Sequence, residues 1–193
     1  MSINLKNRVF VLVILVLGMF KKIKKILRNG FTQSVIQEAE NLGVIIGSNV
    51  DIVNRPWWGS EPYLIKIGDN TTLSFDVAFV THDAATRVIR NLPNGNPETG
   101  YFGPIIIGKN CFIGCRTTIL ANVHIGDNTI IGACSLVNRD IPENVVAAGN
   151  PCKVICSLEE YRTKHKDDFM YMNSLPFEDK KKYLLNKFSH EFQ

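Results

Sequence analysis

No stretch of this sequence is apolar for long enough to predict a membrane-spanning helix. The longest apolar run, VFVLVILVLGMF over residues 9–20, has 12 residues, whereas a spanning helix needs about 20. Acidic side chains are absent from residues 1–30, which carry seven basic ones and leave 15 of the 22 basic residues against 18 acidic ones in the rest. The positive charge therefore belongs to a tail, which argues against a nucleic-acid-binding main domain.

The apolar run is followed by a basic cluster, KKIKKILR over residues 21–28. A positive start and an apolar middle are typical of a signal peptide, but the small-residue cleavage site of such a peptide is missing. An uncleaved helix lying at the inner face of a membrane accounts for both the apolar run and the basic cluster. The alternative is a helix packed on the main domain of the chain or on a partner subunit, and the sequence leaves both open.

Paired cysteines are also missing. The five cysteines are an odd number and none shows zinc-ligand spacing such as C-x2-C, so a reduced, cytoplasmic setting fits better than a disulfide framework. Only His82 and His124 fall within residues 43–156, and a histidine-bound zinc enzyme would need three. We therefore expect no metal.

A repeat of six residues runs through the middle of the chain. Ile or Val stands at every sixth position from residue 107 to residue 137, and the residue four places further on is small or β-branched. An earlier block keeps the rule from Ile67 to Phe79, and a weaker start appears at Ile46. The residues at the fourth offset of the main block are Cys111, Thr117, Val123, Thr129 and Ser135.

A period of six matches neither an amphipathic helix nor a plain strand, whose apolar residues recur at spacings of about 3–4 and 2. It matches short strands and turns wound into a triangular coil, with one aliphatic side chain pointing inward on each side. Small residues then fit the corners, while Gly, Asn and Asp supply the turns. The sequence therefore predicts an all-β solenoid over residues 43–156.

The repeat is interrupted over residues 54–66 and again over residues 81–104. Loops inserted into such scaffolds tend to build binding surfaces. A helical segment, residues 1–42, is expected before the solenoid, and a helical extension, residues 157–193, after it. In that extension a capping-box pattern at residues 157–160 predicts a short helix to about Asp168, and residues 176–188 predict a second helix.

The repeats, together with the ending IGACSLVNRDIPENVVAAGNPCKVI over residues 131–155, resemble the hexapeptide-repeat acyltransferases. Their fold is a left-handed parallel β-helix, whereas the usual rule for parallel crossovers would have predicted a right-handed coil. The resemblance implies acetyl-CoA as donor and a homotrimer with active sites between subunits. A non-catalytic solenoid is the weaker interpretation, because threonines stand mainly at inward corners and not in a flat array.

The motif VTHD places His82 and Asp83 at the start of the second interruption. In the family that the chain resembles, a histidine at this place is the catalytic base, and neutral imidazole is suited to accepting a hydroxyl proton near pH 7. Neighbours in an extended segment point to opposite faces, so Asp83 orients His82 only if the chain turns there. Otherwise Asp83 binds a substrate hydroxyl or starts a turn. Both residues are candidates for the catalytic site.

The resemblance also implies a groove for the pantetheine arm of the coenzyme. Small residues would line this groove, and basic side chains would meet the nucleotide phosphates. Two of these positions depart from the family: Asn138 stands where the family has Thr in the pair before Asp140, and Cys115 stands where it has Ser. The residues that match the family's coenzyme positions are Phe112, Cys115, Ala133, Asn138, Arg139 and Lys153.

The motifs FVTHD and GYFGPIIIG resemble the branch of the family that O-acetylates sugars during surface polysaccharide and lipopolysaccharide assembly. Acetylation of xenobiotics such as antibiotics, of amino sugars or of serine is the alternative. Trp57 and Trp58 either stack against a sugar ring or cap an open end of the solenoid. Arg87, in the second interruption, either meets an anionic or hydroxylated glycan or is solvated surface.

Overall fold

The computed structural model describes residues 30–192, in which three sheets run along the sides of a coil. The first sheet contains β1 (Ile45–Ile46), β3 (Ile65–Ile67), β6 (Ile105–Ile107) and β9 (Val123–Ile125). The second contains β2 (Asp51–Ile52), β4 (Thr72–Leu73), β7 (Phe112–Ile113), β10 (Ile130–Ile131), β12 (Val145–Ala148) and β13 (Lys153–Ser157). The third contains β5 (Ala78–Val80), β8 (Thr118–Leu120) and β11 (Leu136–Val137).

From β3 to β11, every third strand along the chain joins the same sheet. Strands β3, β6 and β9 pair in parallel, as do β4, β7 and β10, and likewise β5, β8 and β11. One coil therefore consists of three strands, which agrees with the three-sided parallel solenoid predicted from the period of six. The antiparallel pairing of β13 with β12 ends the coil. The left hand of the coil stays a prediction.

The six-residue period accounts for the core of the solenoid. The inward aliphatic side chains are buried along all three sides, from Ile67 through Phe79 to Val137. The residues at the fourth offset are buried as well, and their hydroxyl or thiol groups bond to backbone at the corners: Thr71 Oγ1 donates to the carbonyl oxygen of Gly108 at 2.9 Å. Where the fourth-offset residue is polar, its short side chain thus links the corner of one coil to the next, as Thr117 Oγ1 does to the carbonyl oxygen of Gly132 at 3.3 Å.

The turns between strands are made by residues in the left-handed region of the backbone. Asn70, Asn110 and Asn128 have φ of 57°, 53° and 55°, a conformation that Asn tolerates well. Their side chains stack from coil to coil, since Asn110 Nδ2 donates to Asn128 Oδ1 at 2.8 Å. At Gly68 an added Cβ would lie 2.6 Å from the backbone of Gly108, so this corner requires glycine for close approach of two coils.

Helix α1, residues 30–41, covers the first coil. Its Val35 and Ala39 are buried, and Thr32 Oγ1 donates to the carbonyl oxygen of Ile52 at 3.1 Å. The apolar run at residues 9–20, with its expected membrane contact, lies outside the described residues. None of the described helices is long and apolar enough to cross a membrane.

The described residues divide into two compact units, one ending at Leu158 and one beginning at Glu159. Helices α3 (Leu158–Lys164) and α4 (Phe177–Lys187) confirm the two helices expected in the C-terminal extension, although α3 ends before Asp168. The second unit carries several exposed apolar side chains, including Tyr171 and Phe177.

Candidate active site

The second interruption of the repeat forms a loop that is closed at its base. The amide of Gly103 donates to the carbonyl oxygen of Thr81 at 3.0 Å, and the amide of Asp83 donates to that of Tyr101 at 2.9 Å. The two ends of the loop therefore pair as a short antiparallel ladder, with His82 opposite Phe102. Helix α2 (Thr86–Arg90) lies within this loop.

His82 is joined to Glu61, a residue of the first interruption. His82 Nδ1 lies 2.9 Å from Glu61 Oε2, and Thr81 Oγ1 donates to the same carboxylate oxygen at 2.8 Å. The side chain of Glu61 is 14% exposed and that of His82 is 32% exposed. A largely buried carboxylate thus holds one nitrogen of a partly exposed imidazole.

The carboxylate of Glu61 is stabilised in its ionised form. Partial burial raises the pKa of this carboxyl, but hydrogen bonds from His82 and Thr81 outweigh the burial and leave the pKa below its ordinary value. An ionised carboxylate only accepts hydrogen bonds. Nδ1 of His82 therefore carries the proton of this pair, and in the neutral ring Nε2 is the nitrogen with a free lone pair.

Sequence reasoning missed Glu61, although a signal for it was present. Residues one coil apart pair with an offset of 21 in this part of the chain, as Ile45 does with Lys66 and Trp57 with Ala78. The same offset separates Glu61 from His82. A search for an acid one coil before the histidine would have found it.

A cavity of about 220 Å³ opens on one side of His82. The structure brings Arg87, predicted to bind the acceptor, into this cavity together with Glu61 and Asp83. Two aromatic side chains of the GYFGP motif, Tyr101 and Phe102, complete the wall. The Phe102 ring lies 5.6 Å from the imidazole of His82, centroid to centroid.

A second cavity of about 260 Å³ shares the His82 side chain. It is lined by outward-facing residues of the third sheet and by Asn138, one of the residues matched to the coenzyme. Val80, Leu120 and Ala121 give its wall an apolar part, beside the polar side chains of Asp83, Tyr101 and Asn138. His82 therefore lines two cavities, one with the predicted acceptor residue Arg87 and one with the predicted coenzyme residue Asn138.

Asp83 lies at the edge of both cavities, and its carboxylate has a structural partner. Asp83 Oδ1 accepts a hydrogen bond from the amide of Ala85 at 2.8 Å, and the Asp83 carbonyl oxygen accepts one from Thr86 Oγ1 at 3.0 Å. Asp83 thus starts the turn into α2, one of the two alternatives considered for it. Glu61, not Asp83, occupies the position that orients His82.

The two tryptophans have different environments. Trp58 is 5% exposed and stacks on Phe79 in the core, with ring centroids 5.3 Å apart. The prediction that Trp58 stacks on a sugar ring is therefore wrong, because core residues surround the indole. Trp57 is 58% exposed and pairs with Ala78 along the third sheet.

The other residues matched to the coenzyme lie on the last coils. Cys115 and Ala133 occupy stacked turns of adjacent coils, where the amide of Cys134 donates to the carbonyl oxygen of Cys115 at 2.8 Å. Phe112 is exposed on β7, and Lys153 is exposed on β13. Arg139 is exposed beside Asn138. Within residues 30–192, His, Cys, Asp and Glu side chains form no group of three that could hold a metal ion.

Comparisons with known proteins agree with the repeat. Residues 104–139 match the family model of the bacterial transferase hexapeptide (six repeats). The chain is 41% identical to Protein CapG of Staphylococcus aureus over 172 residues, which cover 88% of this chain and 96% of that protein. It is 43% identical to galactoside O-acetyltransferase of Escherichia coli over 126 residues, which cover 62% of this chain and 59% of that protein. A solved structure, galactoside acetyltransferase in complex with coenzyme A, is 32% identical, with a TM-score of 0.47 over 68% of this chain and 61% of that chain.

Proposed function

This chain belongs to the bacterial hexapeptide-repeat transferase family and is an acetyltransferase, and we propose that it transfers the acetyl group of acetyl-CoA to a sugar hydroxyl during surface polysaccharide assembly. The observation that carries the proposal is the position of His82, held by Glu61 and facing two cavities. A relative named galactoside O-acetyltransferase supports the choice of a sugar as acceptor. The left hand of the coil is part of the same proposal, supported by the family.

His82 acts as the general base in this proposal. Glu61 accepts the hydrogen bond from Nδ1–H and so keeps the lone pair on Nε2. Nε2 takes the proton of the acceptor hydroxyl while the hydroxyl oxygen attacks the carbonyl carbon of the thioester. The imidazolium then returns this proton to the departing coenzyme sulfur as the carbon–sulfur bond breaks. The products are an acetyl ester and a free thiol, and His82 ends the cycle neutral.

The two cavities divide the substrates between them. We assign the cavity that contains Arg87 to the acceptor, because it has several polar side chains suited to a hydroxylated ring. We assign the cavity that contains Asn138 to the acetyl end of the donor, because its wall of Val80, Leu120 and Ala121 suits an apolar thioester arm. A hydroxyl in one cavity and a thioester in the other would then meet at His82, which lines both.

The rest of the coenzyme would follow the last coils. The turns of Cys115 and Ala133 present small side chains beside which a thin pantetheine arm fits. Arg139 and Lys153 are exposed and offer positive charge to the nucleotide phosphates. Phe112, exposed on β7, supplies an aromatic surface near this arm.

A homotrimer is also part of the proposal. The outward side chains of the third sheet are apolar or small and only half exposed, and they adjoin the cavity proposed for the donor. An apolar sheet face of this kind is suited to contact with a second copy of the chain. The groove for the coenzyme would then lie between neighbouring subunits.

Replacement of His82 by Ala tests the catalytic assignment. We expect kcat for acetyl transfer to fall by about 10²–10⁴, the usual contribution of a general base. His124→Ala is the matched control, because His124 is exposed on β9 away from both cavities. Thiol release would be followed with sugars, serine and an aminoglycoside antibiotic as acceptors, and circular dichroism would check that both variants fold. Turnover of His82→Ala within tenfold of wild type contradicts the base, and a preference for serine or the antibiotic contradicts the sugar.

A further inference from the structure

Helix α2 presents two arginines to the cavity beside His82. Arg87 and Arg90 stand three residues apart on this helix and both line the cavity. Like charges at this spacing on a helix repel each other, so the pair has an energetic cost. Arg90 is held in place, since its Nε donates to the carbonyl oxygen of Thr99 at 2.5 Å. A bound anion would offset the repulsion between the two guanidinium groups.

The two carboxylates of the same cavity, Glu61 and Asp83, form no close ion pair with these arginines. Glu61 accepts hydrogen bonds from His82 and Thr81, and Asp83 Oδ1 accepts one from the amide of Ala85. Neither carboxylate forms an ion pair with Arg87 or Arg90 at a nitrogen–oxygen distance of 4.0 Å or less. In the described part of the chain, Arg87 therefore remains a cation that has no acidic partner.

Arg87 and Arg90 line only one of the two cavities that share His82. The lining of the other cavity, which contains Leu120 and Asn138, includes no lysine or arginine among the described residues. A neutral hydroxyl gains little from two guanidinium groups, whereas a carboxylate or a phosphate matches their planar, paired donors. The guanidinium donors thus lie where the acceptor would sit and not where the acetyl group would sit.

We infer that Arg87, assisted by Arg90, forms a subsite for a negatively charged group on the acceptor. The acceptor is then an acidic sugar, with a carboxylate on the ring or a phosphate attached to it, and Arg87 selects it over a neutral sugar. This inference rests on the proposed function for the assignment of the cavity. Arg87 contributes binding and specificity, and His82 remains the base.

Binding to the His82→Ala protein tests the inference without turnover. Titration calorimetry would compare methyl galactoside, galacturonate, galactose 1-phosphate and UDP-galactose. We expect at least one anionic sugar to bind about tenfold or more tightly than the neutral one, since hydrogen bonds to charged groups are the stronger ones. Arg87→Gln should remove this advantage, Arg87→Lys should retain part of it, and added salt should weaken it. Arg162→Ala, on exposed α3, is the matched control and should change nothing.

The outcomes separate the sources of the charge and the two proposals. A preference for galacturonate identifies a ring carboxylate, and a preference for galactose 1-phosphate or UDP-galactose identifies a phosphate. Equal affinity for neutral and anionic sugars, or an equal loss for both in Arg87→Gln, overturns the inference, as does the absence of binding by every anionic sugar. Failure of the wild type to acetylate any sugar would count against the proposed function instead, because binding is measured separately.

Discussion

The two interruptions of the solenoid differ in how far their side chains are buried. In residues 54–66 the chain turns inward, and Pro56, Trp58 and Pro62 are buried. In residues 84–102 it turns outward, and most side chains are exposed. The inward loop supplies Glu61, and the outward loop begins at the base of the site and carries the cavity wall.

This difference separates two tasks that one loop would perform poorly. A carboxylate that orients a histidine must not move, and packing around it reduces the number of arrangements available to it. A wall that admits and selects an acceptor must remain open to solvent. The protein obtains both because residues 61 and 82 are one coil apart, which places Glu61 of the first loop beside His82 at the start of the second.

The largest expected effect concerns the tryptophans of the inward loop. Trp58→Ala should lower the free energy of unfolding by about 3–5 kcal/mol, because it leaves a cavity against Phe79. Replacement of the exposed neighbour Trp57 by Ala should change the free energy of unfolding by less than about 1 kcal/mol. Urea unfolding of both variants checks the pair. Equal losses in the two variants would show that the first loop is not packed inward as described.

The orienting role of Glu61 predicts a smaller effect, on activity. Glu61→Gln keeps the shape of the side chain but removes its charge and replaces one acceptor oxygen by an NH2 donor, so the imidazole loses the charged acceptor of Nδ1–H. We expect kcat to fall at least about 10- to 100-fold with little change in KM for acetyl-CoA, by analogy with the partners that orient histidine ligands of metals. Because Glu61 is a positioning residue, the pH profile of kcat should shift as well.

Glu98→Gln provides the comparison from the outward loop. Glu98 is an exposed carboxylate of residues 84–102 and does not line either cavity. Its replacement should leave kcat, KM and the pH profile as in wild type. If Glu61→Gln were as active as Glu98→Gln, the hydrogen bond to His82 would have no part in orienting the base.

Prediction from the sequence succeeded where each residue has the same neighbours in every coil. The fourth-offset residues from Thr71 to Ser135 are buried because the period itself places them at corners. Asn residues take left-handed turns as their type suggests, but Arg116 and Cys134 do so too, with φ of 57° and 59°. At those two positions the stacking of coils determines the backbone, which residue type alone does not indicate.

Prediction failed inside the interruptions, where the period no longer applies. For Trp58 the sequence predicts either stacking on a sugar ring or capping of an open end of the solenoid, whereas its ring packs against Phe79 in the core. Glu61 was not singled out, because its role depends on contact with a residue 21 positions away. The position of Arg87 beside His82 depends on a loop whose shape no local pattern specifies.

The smallest expected effect tests whether the inward loop stabilises the ionised form of Glu61. Burial raises the pKa of this carboxyl, but hydrogen bonds from His82 and Thr81 outweigh the burial, and the net value lies below the ordinary one, about 4.3 in an unfolded chain. A group whose pKa is lowered on folding contributes stability above its unfolded pKa, and this contribution is lost as the pH falls through the folded value. The difference in unfolding free energy between wild type and Glu61→Gln should therefore narrow as the pH is lowered from about 5 to below about 4. A difference that stays constant or widens over this range would mean that the partners of Glu61 do not stabilise its ionised form. The inward loop would then differ from the outward loop in packing but not in electrostatics.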